Sequence, residues 1–116
     1  LAEIIHLKDE KRTSLLKAQV LYKLGEYKQA VDLYGTLVSQ VSDDDVPDLL
    51  TNLVACSAND KTLFSEVEEI VQKASVQDIS LYEYHFNLSQ TQLKQREFLK
   101  ALDSINLARQ LLKEEG

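Results

Sequence analysis

The chain has 116 residues, 44% hydrophobic and 28% charged, with three glycines and one proline. That suits one modest domain with its own core, and so few Gly and Pro residues exclude most all-β designs, which need a turn about every 8–12 positions. Thirteen Lys and Arg against nineteen Asp and Glu give a net charge of −6, the wrong sign for a nucleic-acid binder that draws its affinity from cation–phosphate contacts.

Apolar residues recur at the i, i+3, i+4, i+7 spacing of amphipathic helices almost everywhere. After a short helical piece near 2–7, the first stripe is Leu16, Val20, Leu24 and Tyr27, predicting a helix over about 13–24. Gly25-Glu26 supplies a tight turn, because glycine tolerates the left-handed conformation of a helix stop. Ala30, Leu33, Tyr34, Leu37, Val38 and Val41 predict a helix over 27–41. Ser42-Asp43-Asp44-Asp45 followed by Val46-Pro47 reads as a helix start, with Asp or Ser as cap and Pro47 in the first turn. Leu49, Leu50, Leu53 and Val54 then mark a helix over 47–58. A turn at Asn59-Asp60-Lys61-Thr62 leads to Phe64, Val67, Ile70, Val71 and Ala74, a helix over 63–74. Ser75 to Ser80 forms the next break, with Asp78 or Ser80 as cap. Leu88, Gln92 and Gln95 share a stripe of a helix over 80–95. Arg96-Glu97 turns the chain into Phe98, Ala101, Leu102, Ile105, Ala108 and Leu111, a helix over 98–114.

Two segments can be superposed. Tyr22 to Tyr34 aligns with Leu93 to Ile105, so that a Lys, a Glu, an Ala and an Asp coincide and an aromatic follows each turn. The offset of Arg96 from Gly25 is 71 positions, about two periods of 34, the length of a two-helix repeat. Three helical hairpins follow.

The residues themselves are similar to the tetratricopeptide-repeat family. Ala18, Gly25, Tyr27, Ala30 and Tyr34 stand where that pattern has its small residues, turn glycine and aromatics. The third unit resembles it through Asn87-Leu88-Ser89, Phe98, Ala101 and Ala108, with Arg96 replacing the turn glycine; the middle unit, around Asn52-Leu53 and Ala74, departs furthest. The resemblance implies an all-α superhelical stack spanning 1–116, with repeats over about 12–43, 46–77 and 80–114 and the end of a preceding helix in 1–11. Gln19 to Tyr27, Leu37-Val38, the acidic linker and Thr51-Asn52-Leu53 further resemble the repeat-containing heavier subunits of the signal recognition particle's large protein heterodimer. That likeness implies a ribonucleoprotein component acting in co-translational targeting to the endoplasmic reticulum, whose repeats grip the other protein of the heterodimer. RNA contact would then belong to a basic segment elsewhere.

No constellation points to catalysis. His6 and His85 lie 79 positions apart, without a second ligand at zinc spacing. Cys56 sits among Val54, Ala55 and Ala58, as a small core residue does. As the sole cysteine it can form no internal disulfide, which fits a reducing compartment, and a cytoplasmic location is expected. Asp43 to Asp45 lack the alternating ligands, central Gly and distant Glu of a calcium loop, and suit a helix N-terminus. Glu66, Glu68 and Glu69 read as a solvated face. Gly25, Gly35 and Gly116 form no phosphate cradle. No enzyme activity, metal or cofactor is expected, and no apolar run approaches the roughly 18 residues of a membrane span. Leu1 at the first position and the lack of any Met suggest a piece of a longer protein.

What remains is surface. In stacked hairpins the first helix of each pair lines the concave side. The repeat pattern turns Leu15, Gln19, Tyr22 and Lys23 inward, with Phe86, Gln90, Leu93 and Lys94 as counterparts and Asn52 and Ala55 from the middle unit. An apolar groove rimmed by amides and amines suits a protein partner laid along it; packing against neighbouring helices is the alternative. The carboxylate clamp of heat-shock co-chaperones is missing, because Leu15 and Gln19 occupy its inward places. Two rivals stay open: a co-chaperone or import-receptor module for peptide tails, and an interior slice of a longer solenoid such as a cell-cycle ligase subunit.

Overall fold

The computed structural model describes residues 2–74 and 79–115, and side chains within 10–74 and 79–114. Its helices are α1 (Ala2–Lys23), α2 (Tyr27–Val38), α3 (Val46–Asn59), α4 (Phe64–Ala74), α5 (Tyr82–Lys94) and α6 (Phe98–Glu115), with a 3-10 turn at Lys61–Leu63 before α4. Among the described residues there is no strand. Consecutive helices pair into the hairpins α1/α2, α3/α4 and α5/α6, and α3 packs on α2 at one side and α5 at the other. The result is an all-α stack of 50 × 32 × 24 Å.

Two of the loops are copies of each other. The Glu26 N–H donates to Leu21 O (2.9 Å) and the Gly25 N–H to Tyr22 O (3.0 Å). In the last hairpin the Glu97 N–H donates to Gln92 O (2.9 Å) and the Arg96 N–H to Leu93 O (3.0 Å). Paired bonds of this kind satisfy the orphan carbonyls of a helix end and demand a left-handed residue. Gly25 has φ of 81° and Arg96 of 64°.

Four local expectations change. The helix expected over 13–24 and the piece near 2–7 are one helix, α1, since no Gly or Pro interrupts 2–23 and helix propagates readily once begun. α2 stops at Val38, and Ser39 Oγ donates to Thr36 O (2.9 Å) at its end. Asp45 does hold the N-cap position of α3, but its carboxylate bonds no helix N–H; it accepts from Ser42 Oγ at 3.2 Å. Leu81 rather than Ser80 precedes α5, with no side-chain cap; Asp78, the other proposed cap, lies outside the described residues, as does the side chain of His6. Asp60, by contrast, caps firmly. Its Oδ1 accepts from the Thr62 N–H (3.0 Å) and Thr62 Oγ1 (2.6 Å), bonds that hold the carboxyl below its ordinary range.

The core follows α2 and α3. Ala18 of α1 and Ala30 and Val31 of α2 are fully buried, so small residues let the first hairpin close. Leu50 and Leu53 of α3 are wholly enclosed as well; truncating such a side chain to Ala costs about 2–5 kcal/mol. Gly35 lies under α4, where an added Cβ would come within 3.1 Å of Ile70 Cδ1. Between α3 and α5 the contact is partly polar and fully satisfied. Ser57 Oγ donates to Val54 O (2.9 Å) and lies 3.1 Å from Thr91 Oγ1, which in turn reaches Val54 O (3.2 Å).

Polar links between successive hairpins keep a near-constant separation in sequence. Tyr22–Asn59, Ser57–Thr91, Thr51–Asn87 and Lys61–Gln95 are 34 to 37 residues apart. Each hairpin therefore presents similar positions to the next, as repeating units do.

Candidate functional site

α1, α3 and α5 line one side of the stack, and three adjoining depressions run along it. The first, about 560 Å³, lies between α1 and the start of α3. Leu15, Leu37, Val41 and Leu49 form its apolar part, with Lys11, Arg12 and Gln19 on the α1 side and Asp45, Asp48 and Asn52 on the α3 side. The second, about 380 Å³, holds Gln19, Tyr22, Lys23, Asn52, Ala55 and Asn87. The third, about 450 Å³ between α3 and α5, holds Asn52, Phe86 and Asn87 with Tyr82 and Glu83. Asn52 borders all three, so the depressions meet at that side chain.

Local structure explains why these side chains stay in place. Leu15, Gln19 and Tyr22 share one face of α1 at i, i+4, i+7. Tyr22 is half-buried, its ring meeting Tyr27 edge-on at 5.5 Å. Its hydroxyl accepts from Asn59 Nδ2 (2.9 Å), an amide that also reaches Ala55 O (2.9 Å). Burial pushes the Tyr22 phenol above its ordinary pKa, against the opposing pull of the Asn59 bond. Asn87 donates to Thr51 O (3.2 Å), which holds its amide on the α3–α5 seam.

The residues expected to face a partner divide in two. Leu15, Gln19, Tyr22, Lys23, Asn52 and Phe86 border the groove, as does Ala55. Gln90 and Leu93 follow Phe86 at i+4 and i+7 on the same exposed face of α5 but beyond the depressions. Phe86 and Leu93 are 45% and 56% exposed. Lys94 is in this second group, exposed, with its ammonium donating to Ala58 O near the end of α3.

Several groove residues escaped the sequence reading. Lys11 lies four residues before Leu15 on the same stripe, a signal hidden by starting the helix at 13. Asp45 reads in the sequence as part of a helix start, and Asp48 carries no signal of its own. Leu37, Val41 and Leu49 look like ordinary core residues, and only the separation of α1 from α3 gives them a groove.

Other reactive groups are occupied or enclosed. Cys56 is fully buried, and desolvation pushes its thiol up to about 12, far from the thiolate a nucleophile needs. His85 is half-buried against Tyr84, edge-on at 5.1 Å, and its Nε2–H donates to Ile79 O at 2.7 Å. Among the described residues no three His, Cys, Asp or Glu side chains gather as metal ligands, and no helix is long and apolar enough to cross a membrane.

The chain is similar to signal recognition particle subunit SRP72 of Dictyostelium discoideum. Identity is 28% over 111 positions, taking in 92% of this chain. The chain spans only 16% of the length of that relative. No family model matches the sequence.

Proposed function

We propose that the chain is a non-catalytic protein-interaction scaffold of the tetratricopeptide type, whose concave side takes a segment of a protein partner. The observation that carries this reading is the row of three depressions that meet at Asn52, with aliphatic side chains beside α1 and the Asn87 amide held by Thr51 O at the α3–α5 seam. A preformed surface of this kind lowers the ordering cost of binding, leaving affinity to a few anchors. The matching left-handed loops at Gly25 and Arg96 and the buried small residues Ala18, Ala30, Ala101 and Ala108 support the repeat assignment.

The likeness to SRP72 supports a place in a signal recognition particle, in protein targeting in the cytoplasm. The partner is then the other protein of the particle's heterodimer. A net charge of −6 supports leaving RNA contact to other parts of the assembly. Leu15, Gln19, Tyr22, Lys23, Asn52 and Phe86 contact the bound segment, with Gln90 and Leu93 extending the surface and Lys94 at its margin.

Calorimetric titration of this chain with the other heterodimer protein tests the reading. Asn52→Arg, which fills the junction of the three depressions, and Phe86→Glu are each expected to weaken binding by about tenfold or more while helical circular dichroism is retained. Unchanged affinity in both variants would remove the groove as the binding site.

A further inference from the structure

The depression between α1 and α3 carries opposite charge on its two sides. Lys11 and Arg12 lie on α1, Asp45 at the N-cap of α3 and Asp48 in its first turn, and aliphatic residues line the same depression. All four are exposed. None forms an ion pair among the described residues; the Asp45 carboxylate accepts a hydrogen bond from Ser42 Oγ. The two walls do not neutralise each other across the groove, so each keeps its field for whatever lies between.

We propose that this depression takes an amphipathic helix of the partner with oppositely charged flanks, acidic beside α1 and basic beside α3. The inference rests on the groove reading above and specifies the chemistry of its occupant. An extended strand offers only two alternating faces, whereas a helix offers an apolar stripe with two distinct flanks. The groove has three matching strips: a basic wall, an aliphatic floor and an acidic wall. A peptide of one charge sign would meet a like-charged wall on one side, the kind of mismatch that discriminates between partners. Turning the helix end for end exchanges its flanks. The charged walls therefore also fix the direction in which the partner chain runs.

The test is selection from a phage-displayed library of helical peptides about 18 residues long, a length at which helices hold together. Their apolar stripe is constant, and both flanks are randomised among Glu, Lys and Gln. Selection uses this chain and its Lys11→Glu/Arg12→Glu variant, whose changes lie on exposed positions. The unaltered chain is expected to favour opposite-sign flanks over same-sign flanks by about fivefold at low salt, with the preference shrinking as salt rises. The variant, with both walls acidic, should instead select Lys on both flanks. Recovery of the same sequences by both proteins, or neutral flanks prevailing on the unaltered chain, would overturn the charge inference and leave the groove standing. Peptides that bind Asn52→Arg as well as the unaltered chain would overturn the groove itself.

Discussion

Gly25 and Arg96 hold the same left-handed position in two copies of one loop, 71 residues apart, and only one of them is a glycine. An added Cβ at Gly25 would meet nothing within 4 Å, so the cost of a side chain there lies in the backbone alone. Gly25→Ala is expected to destabilise the chain by about 1 kcal/mol, and Arg96→Gly to stabilise it by about 0.5–1 kcal/mol. Urea unfolding of the two variants should give shifts of opposite sign. Shifts in the same direction would contradict the equivalence of the loops.

Gly35 answers to a different constraint. It has an ordinary helical backbone and gives Ile70 room to approach from α4. Gly35→Leu is therefore expected to cost about 1–3 kcal/mol through overpacking, despite the better helix propensity of leucine. Hydrogen exchange should quicken first in α4, whose amides depend on that contact. An increase in stability would show that α4 docks by other means.

The Ser57–Thr91 pair joins α3 to α5 through buried hydroxyls. Thr91→Val keeps the shape and removes the hydroxyl, at an expected cost of about 1 kcal/mol. The double variant Ser57→Ala/Thr91→Val should lose less than the sum of the single changes, because neither polar partner then remains unmatched. A double-mutant cycle by thermal unfolding reads the coupling, and strict additivity would mean that the two hydroxyls act independently.

Alkaline pH should unfold the chain through two buried acids. Burial pushes Cys56 from 9.0 up to about 12 and Tyr34 from 10.0 up to about 12. The folded chain thus keeps protons that the unfolded chain releases. Stability from Cys56 is fully present below pH 9 and lost as pH rises toward 12; for Tyr34 the loss begins near pH 10. Each group can steepen the decline by at most about 1.4 kcal/mol per pH unit. Unfolding titrations of Cys56→Ala should show a shallower slope across this range, and an unchanged slope would mean that the thiol is not desolvated.

Much of the fold was legible because its determinants are local. The stripe of Ala30, Leu33, Tyr34, Leu37, Val38 and Val41 marks a helix face whatever lies beyond it; Ala30, Tyr34 and Leu37 are buried and the other three half-buried, while Val31, outside that stripe, is fully buried as well. The match of Gly25 with Arg96 was equally readable, since helix termination is decided within six residues. Aromatics at matching repeat positions did not share an environment. Tyr27 packs against Tyr22, whereas Phe98, its counterpart beyond Arg96, remains 56% exposed. A residue type announces that burial is favourable; a neighbouring helix has to supply it.

The sequence by itself determined the helical period, the hairpin unit and the places where the chain turns back, since each follows from backbone preferences over a few residues. Tertiary structure decided how far α1 stands from α3. That spacing depends on side chains interlocking across segments distant in sequence, through contacts such as Tyr22 with Asn59 and Ile70 over Gly35. It turned Leu15, Leu37 and Leu49 into the floor of an open groove and set Lys11 and Arg12 opposite Asp45 and Asp48.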